Sequence, residues 1–194
     1  MTKDLTTGKI MPILVKFTIP LVLGNLFQQM YNTADSLIVG NFLGSNALAA
    51  VSSSGSLIFL LIGFLSGIAI GAGVVISRYF GARDDENVQI AIHTTAAFGL
   101  VAGVLMALVG VLLSPQILVW MGTPDVVMGE SLTYLQIYFM GSLGSVMYNI
   151  FVGTLQAMGD SKHPLYYLIA SSIVNVVLDI LFLTSFIFHQ TEHA

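Results

Sequence analysis

The sequence predicts an all-α integral membrane protein with five transmembrane helices. Three observations carry that expectation. Only 8% of the 194 residues are charged while 56% are hydrophobic, against roughly 25% charge in a soluble domain. So few charges cannot cover a surface that faces water. The apolar runs are also far longer than strands and show no sustained alternation, which favours a helix bundle over an outer-membrane barrel. Finally, all six basic residues fall on one side of a five-helix trace.

Residues 1–11 are a short polar lead. Asp4, the length of the apolar segment that follows and its polar interruptions argue against a cleaved signal peptide, so this end is expected to be retained. The first helix is expected over 12–40. Pro12 suits a first helical turn, whereas Pro20 removes one backbone bond inside the helix and should kink it. The second helix, 47–79, is longer than the hydrocarbon core and must tilt or bend. Its Gly63, Gly67 and Gly71 form a small-residue ridge suited to close helix packing.

The stretch RYFGARDDEN (78–87) is the densest charge cluster and belongs in water. The third helix is expected over 88–113, with Ala91, Thr95, Gly99 and Gly103 as a second small-residue face. Ser114–Pro115 should stop it, leaving PQILVWMG in the interface with Trp120 at headgroup level. Thr123, Pro124 and Asp125 read as N-cap, N1 and N2 of a fourth helix over 124–158. The fifth helix is expected over 164–188, and 189–194 form a polar tail. Residues 1–188 are thus expected to make one membrane lobe.

On this trace Lys3, Lys9, Lys16, Arg78, Arg83 and Lys162 share one side. The loops on the other side carry Asp125, Glu130 and Glu192. The positive-inside rule then makes the N-terminus cytoplasmic, in a multi-pass protein of the cell membrane.

Two polar constellations interrupt the apolar helices. In GNLFQQMYNTADSLIVG (24–40), Gln28, Asn32 and Asp35 fall at i, i+4 and i+7 and form one stripe. A carboxylate at membrane depth costs roughly 2.5–3.5 kcal/mol on insertion scales, so its default reading is functional. On the fifth helix Asn175 and Asp179 are four apart and stack on one face, with Ser171 a turn below. Asp35 lies roughly 28 Å of helix rise beyond Lys16, and Asp179 roughly 22 Å beyond Pro164. Both helices leave the cytoplasmic side, so both carboxylates sit in the outer half of the bilayer at comparable depth. The least costly arrangement is a shared polar cavity between the first and fifth helices. Such a cavity supports either proton exchange on a carboxylate or a hard-oxygen cage for a cation. The residues leave both open.

No cysteine is present, which excludes disulfides, thiol chemistry and cysteine zinc sites. No nucleophile elbow, phosphate-binding loop or dinucleotide fingerprint appears, so neither an enzyme nor a cofactor is expected, and no nucleic-acid partner. His189 and His193 bracket Glu192 in the tail, too thin a pattern for a metal site.

At this point the chain resembles the N-terminal half of the multidrug and toxic compound extrusion (MATE) family of antiporters. The resemblance runs from about Ile10 to Phe182. It is carried by Pro20, QQMYNTADSLIVGNFLGSNALAA, GFLSGIAIGAGVVISRYFGARD, LQAMGDSKHP and SSIVNVVLDILF, in that order. It implies a proton- or sodium-coupled exporter of organic cations and drugs. It further implies a coupling site of one Asp on the first helix, matching Asp35, with an Asn and an Asp matching Asn175 and Asp179. Family members look like two six-helix bundles related by a pseudo-two-fold axis. The expected architecture here is therefore a truncated six-helix N-lobe, since TSFIFHQTEHA departs from the pattern. The piece is expected to pair with a separate C-terminal half or with a second copy. Two other readings stand beside this one: a non-transporting membrane fragment or partner subunit, and a relative of lipid-linked oligosaccharide flippases. The acidic intramembrane charges argue against the last.

Overall fold

The computed structural model describes the backbone of residues 9–42 and 44–191, and the side chains of residues 9–34, 36–37 and 54–182. Every regular element among them is helical: α1 (Ile10–Phe42), α2 (Gly44–Gly81), α3 (Asp85–Trp120), α4 (Asp125–Met140), α5 (Ser142–Ala157) and α6 (Lys162–Thr191). Four helices are long and apolar enough to cross a membrane, and α4 with α5 makes a fifth, bent span. The expected five-span, all-α architecture is present.

Contacts divide the chain into two compact units, one built on Ser45–Asp160 and the other on Lys9–Gly44 with Ser161–Ala194. The first holds α2 to α5, and α3 is its spine. Glycines on α3 let α4 and α5 approach closely. A Cβ at Gly103 would lie 2.7 Å from Leu143 Cδ1 and 3.0 Å from Leu143 Cα; one at Gly99 would meet Ile150, and one at Gly110 the Phe139 ring. Ser142 Oγ donates to the Gly103 carbonyl at 3.4 Å, joining α5 to α3. Two buried clusters fill the unit: Leu65, Val146 and Ile150, and Leu118, Leu135 and Phe139 with Leu57, Leu61 and Met106 against them. The α2–α3 turn passes through Arg83 at φ 58°. Asp84 then caps α3, accepting from Asn87 N at 3.2 Å and Asn87 Nδ2 at 2.6 Å.

Four expectations are corrected here. Ser114–Pro115 does not stop the third helix, which continues to Trp120. Proline removes the N–H that would bond the Val111 carbonyl, a single lost bond. Fully buried Leu118, packed on Leu135 and Phe139, holds the next turn in place. Ser114 is itself buried and returns its hydroxyl to the Gly110 carbonyl at 2.6 Å. Trp120 is 74% exposed at the helix end, where the sequence put an interfacial ring.

The continuous helix expected over 124–158 is broken at Gly141, with a 47° bend between α4 and α5. Each half has 16 residues, roughly 24 Å of rise, so the break lies near mid-span. Phe139 seated on Gly110 and Leu143 on Gly103 hold the two halves against α3 at the bend.

Thr123 does not cap α4. Pro124 occupies the N-cap position without a side-chain bond, and Thr123 Oγ1 is buried with no partner. Lastly, the Gly63–Gly67–Gly71 ridge makes no close packing: a Cβ at any of the three would meet nothing within 4 Å among the described residues.

Candidate functional site

The second unit pairs α1 with α6. In α1 one stripe is covered: Pro20 is buried, and Phe17, Leu21, Gly24, Tyr31 and Ala34 are partly so. In α6 the covered stripe runs through Leu168, Ser172, Asn175 and Asp179, at helical steps of four, three and four. The helices meet at Gly24, where a Cβ would lie 3.8 Å from both Leu165 Cδ1 and Leu168 Cδ2.

That contact sets the register. With α4 and α5 counted as one span, three crossings separate α1 from α6, so the two run in the same direction. Asp35 lies eleven residues beyond Gly24 in α1, about three turns or 16 Å. The same rise from Leu165 and Leu168 reaches residues 176–179 of α6. The backbone of Asp35 is therefore level with the turn that carries Asn175 and Asp179. The Asp35 side chain lies outside the described residues, as do those of the expected tail, 189–194.

Asn175 Oδ1 and Asp179 Oδ2 are both buried, and neither has a hydrogen-bond partner. An unsatisfied buried polar group costs about 1–3 kcal/mol, more when charged. Among the described residues only Thr123 Oγ1, in the other unit, shares this condition. The two unpartnered oxygens lie one turn apart on the covered stripe of α6. No group of three or more His, Cys, Asp or Glu able to hold a metal occurs among the described residues. The arrangement is one of scattered hard oxygens.

The supporting residues fall differently. Gln28 and Asn32 are on the exposed side of α1. Asn32 Nδ2 donates to Gln29 Oε1 at 3.5 Å, and Ser36 Oγ to the Asn32 carbonyl at 2.9 Å, so this polar face bonds along its own helix. Ser171 is exposed, with its hydroxyl on the Leu168 carbonyl at 3.0 Å. Ser172 was missed by the sequence reasoning. It is half-buried on the covered stripe and bonds the same carbonyl at 2.8 Å. The 168–172–175–179 spacing would have found it; the i, i+4 step back from Asn175 selects Ser171 instead. Pro20 sits buried inside an unbroken α1.

Several known proteins resemble this chain. The MatE family model matches residues 20–181. Probable multidrug resistance protein YoeA of Bacillus subtilis (strain 168) is 37% identical over 162 residues, covering 84% of this chain and 35% of its own length. Probable multidrug resistance protein YpnP of the same organism is 32% identical over 183 residues, covering 94% of this chain and 41% of its own. Among solved structures, a MATE transporter in complex with MaL6 superposes with a TM-score of 0.84 at 26% identity, over 94% of this chain and 41% of that one. The chain thus spans about two fifths of the length of the relatives it matches. With the family model covering most of the chain and the five-span fold agreeing with that of solved transporters, this chain belongs to the MatE family.

Proposed function

We propose that this chain is the N-terminal half of a cation-coupled exporter of organic cations and drugs, and that Asp35, Asn175 and Asp179 hold the coupling ion, H+ or Na+. What carries the reading is the pair of buried, unpartnered oxygens of Asn175 and Asp179, on the α6 stripe that meets α1. An acceptor pair at that depth is stabilised when a proton or cation enters and destabilised when it leaves, which is the requirement for coupling. The names of the relatives, probable multidrug resistance proteins, support drugs as substrates; organic cations are what the family resemblance implies. The chain works in the cell membrane with its N-terminus in the cytoplasm, as the one-sided basic residues direct. Its partner is a C-terminal half or a second copy, and it needs no cofactor beyond the ion.

The test is Asp35→Asn in a complete transporter, with gradient-driven dye export as the readout. Export is expected to be lost while insertion into the membrane survives. Undiminished export would overturn the site assignment.

A further inference from the structure

We infer that the α1–α6 pair binds one anionic phospholipid, its phosphate held by Lys16 and Lys162 and its acyl chains laid along the apolar flank above them. The contact of Gly24 with Leu165 and Leu168 fixes which way each helix faces. Successive residues turn about 100° clockwise when a helix is viewed from its N-terminal end. Lys16 is eight residues before Gly24, which turns it about 80° anticlockwise of the contact direction. Lys162 is three residues before Leu165 and six before Leu168, which turns it about 90° clockwise of its own contact direction. The helices run the same way and face each other, so these opposite rotations bring both lysines to the same flank of the pair. The contact also puts Lys162 level with residues 19–20 of α1, so the two lysines differ in height by only about 5 Å.

Both lysines are exposed. On packed helices with axes roughly 8–10 Å apart, two ammonium groups on flexible four-carbon stems can close on one phosphate. Tyr166, one turn above Lys162, is exposed on the same flank with its ring edge-on to His163, centroids 6.2 Å apart. A tyrosine at this height suits the headgroup level. Above it the flank is apolar, with Leu23, Phe27 and Met30 of α1 and Ile173 and Ile180 of α6 all exposed. The same rotations carry Asn25, Asn32 and Ser171 to the opposite flank, so this surface is separate from the polar one. Basic pockets between membrane helices hold anionic headgroups. A phospholipid matches the flank from end to end: anion at the lysines, chains along the apolar side chains. A partner helix laid in its place would bury two ammonium groups and would have to bring its own anion to their level.

The experiment is native mass spectrometry of the purified full chain, titrated in detergent with dioleoyl phosphatidylglycerol or with dioleoyl phosphatidylcholine. Lys16→Gln, Lys162→Gln, the double variant, Lys16→Arg and Arg78→Gln are compared with wild type. Arg78 is an exposed basic residue at the end of α2 and serves as a control for general charge attraction. Each lysine is expected to contribute about fivefold, equivalent to about 1 kcal/mol, so wild type should prefer phosphatidylglycerol by about 25-fold. Each single Gln variant should lose about fivefold in phosphatidylglycerol affinity, and the double variant should lose the preference altogether. Lys16→Arg and Arg78→Gln should bind as wild type does. Phosphatidylcholine affinity should be the same in every variant, which shows that each is folded. Equal affinity of wild type for the two lipids overturns the inference, as does wild-type phosphatidylglycerol affinity in the double variant. So does an equal loss in Arg78→Gln. Displacement of the lipid by excess inorganic phosphate would assign the lysines to free phosphate and overturn it too. A dimer that retains no lipid and dissociates in Lys16→Gln would assign the flank to a second copy, with the same consequence.

Discussion

Replacing Gly103 by alanine tests how the α2–α5 unit is held together. The added Cβ would stand 2.7 Å from Leu143 Cδ1 and 3.0 Å from Leu143 Cα. The methyl can swing aside by a rotamer change, but the Cα cannot, so α5 must retreat by several tenths of an ångström. Such overpacking costs about 1–3 kcal/mol. The retreat also breaks the Ser142–Gly103 bond, already 3.4 Å long, at about 0.6 kcal/mol for an interhelical bond in a membrane protein. Against this, alanine in a helix interior is favoured over glycine by about 1 kcal/mol. The balance is a destabilisation of about 0.6–2.6 kcal/mol. Gly67→Ala in α2 meets nothing within 4 Å among the described residues, so it should show only the propensity gain, about 1 kcal/mol of stabilisation. Both variants can be measured by SDS titration in mixed micelles followed by circular dichroism. Opposite signs are expected from the same chemical change. A Gly103→Ala protein as stable as wild type, or a Gly67→Ala protein as damaged as Gly103→Ala, would refute the account of α3 as the spine.

Two further outcomes follow from the structure. Thr123→Val removes a buried hydroxyl that has no partner while keeping the shape, so it should stabilise the chain by about 1 kcal/mol in the same titration; a loss of stability would mean the hydroxyl is paired in the membrane. For orientation, Glu86→Cys in the first turn of α3 should react with an impermeant thiol reagent only from the cytoplasmic side, and exposed Val126→Cys only from outside; the reverse labelling would invert the proposed topology.

The sequence carried the membrane class and the span count, because each depends on composition and on the length of the apolar runs. Where it misled, tertiary packing decided the outcome. Pro115 has a strong local signal as a helix stop, yet α3 runs through it since Leu118 is buried one turn later. Gly141 has no local signal that separates it from the other glycines, and the break there is held by Phe139 and Leu143 seated on glycines of α3. The two glycine ridges look alike in sequence, but among the described residues only that of α3 is filled. At the site, periodicity placed Gln28 and Asn32 beside Asp35, whereas the covered face of α1 is the one through Pro20, Gly24 and Tyr31. A helical pattern gives an angle around the axis, not the direction from which a neighbour packs. For the same reason Ser171 was chosen where Ser172 lies on the covered stripe.

The central claim is that Asp35 meets Asn175 and Asp179 at one level between α1 and α6. Because the chain has no cysteine, paired cysteines can be introduced on a clean background. Asp35→Cys with Asp179→Cys should be joined in membranes by a bismaleimide long enough for the roughly 8–10 Å between packed helix axes. The joining should be as efficient as for Gly24→Cys with Leu168→Cys, at the observed helix contact. The exposed pair Asn32→Cys with Ile173→Cys should join poorly. If the 24–168 pair links and the 35–179 pair does not, the two carboxylates do not share a site and the coupling assignment falls.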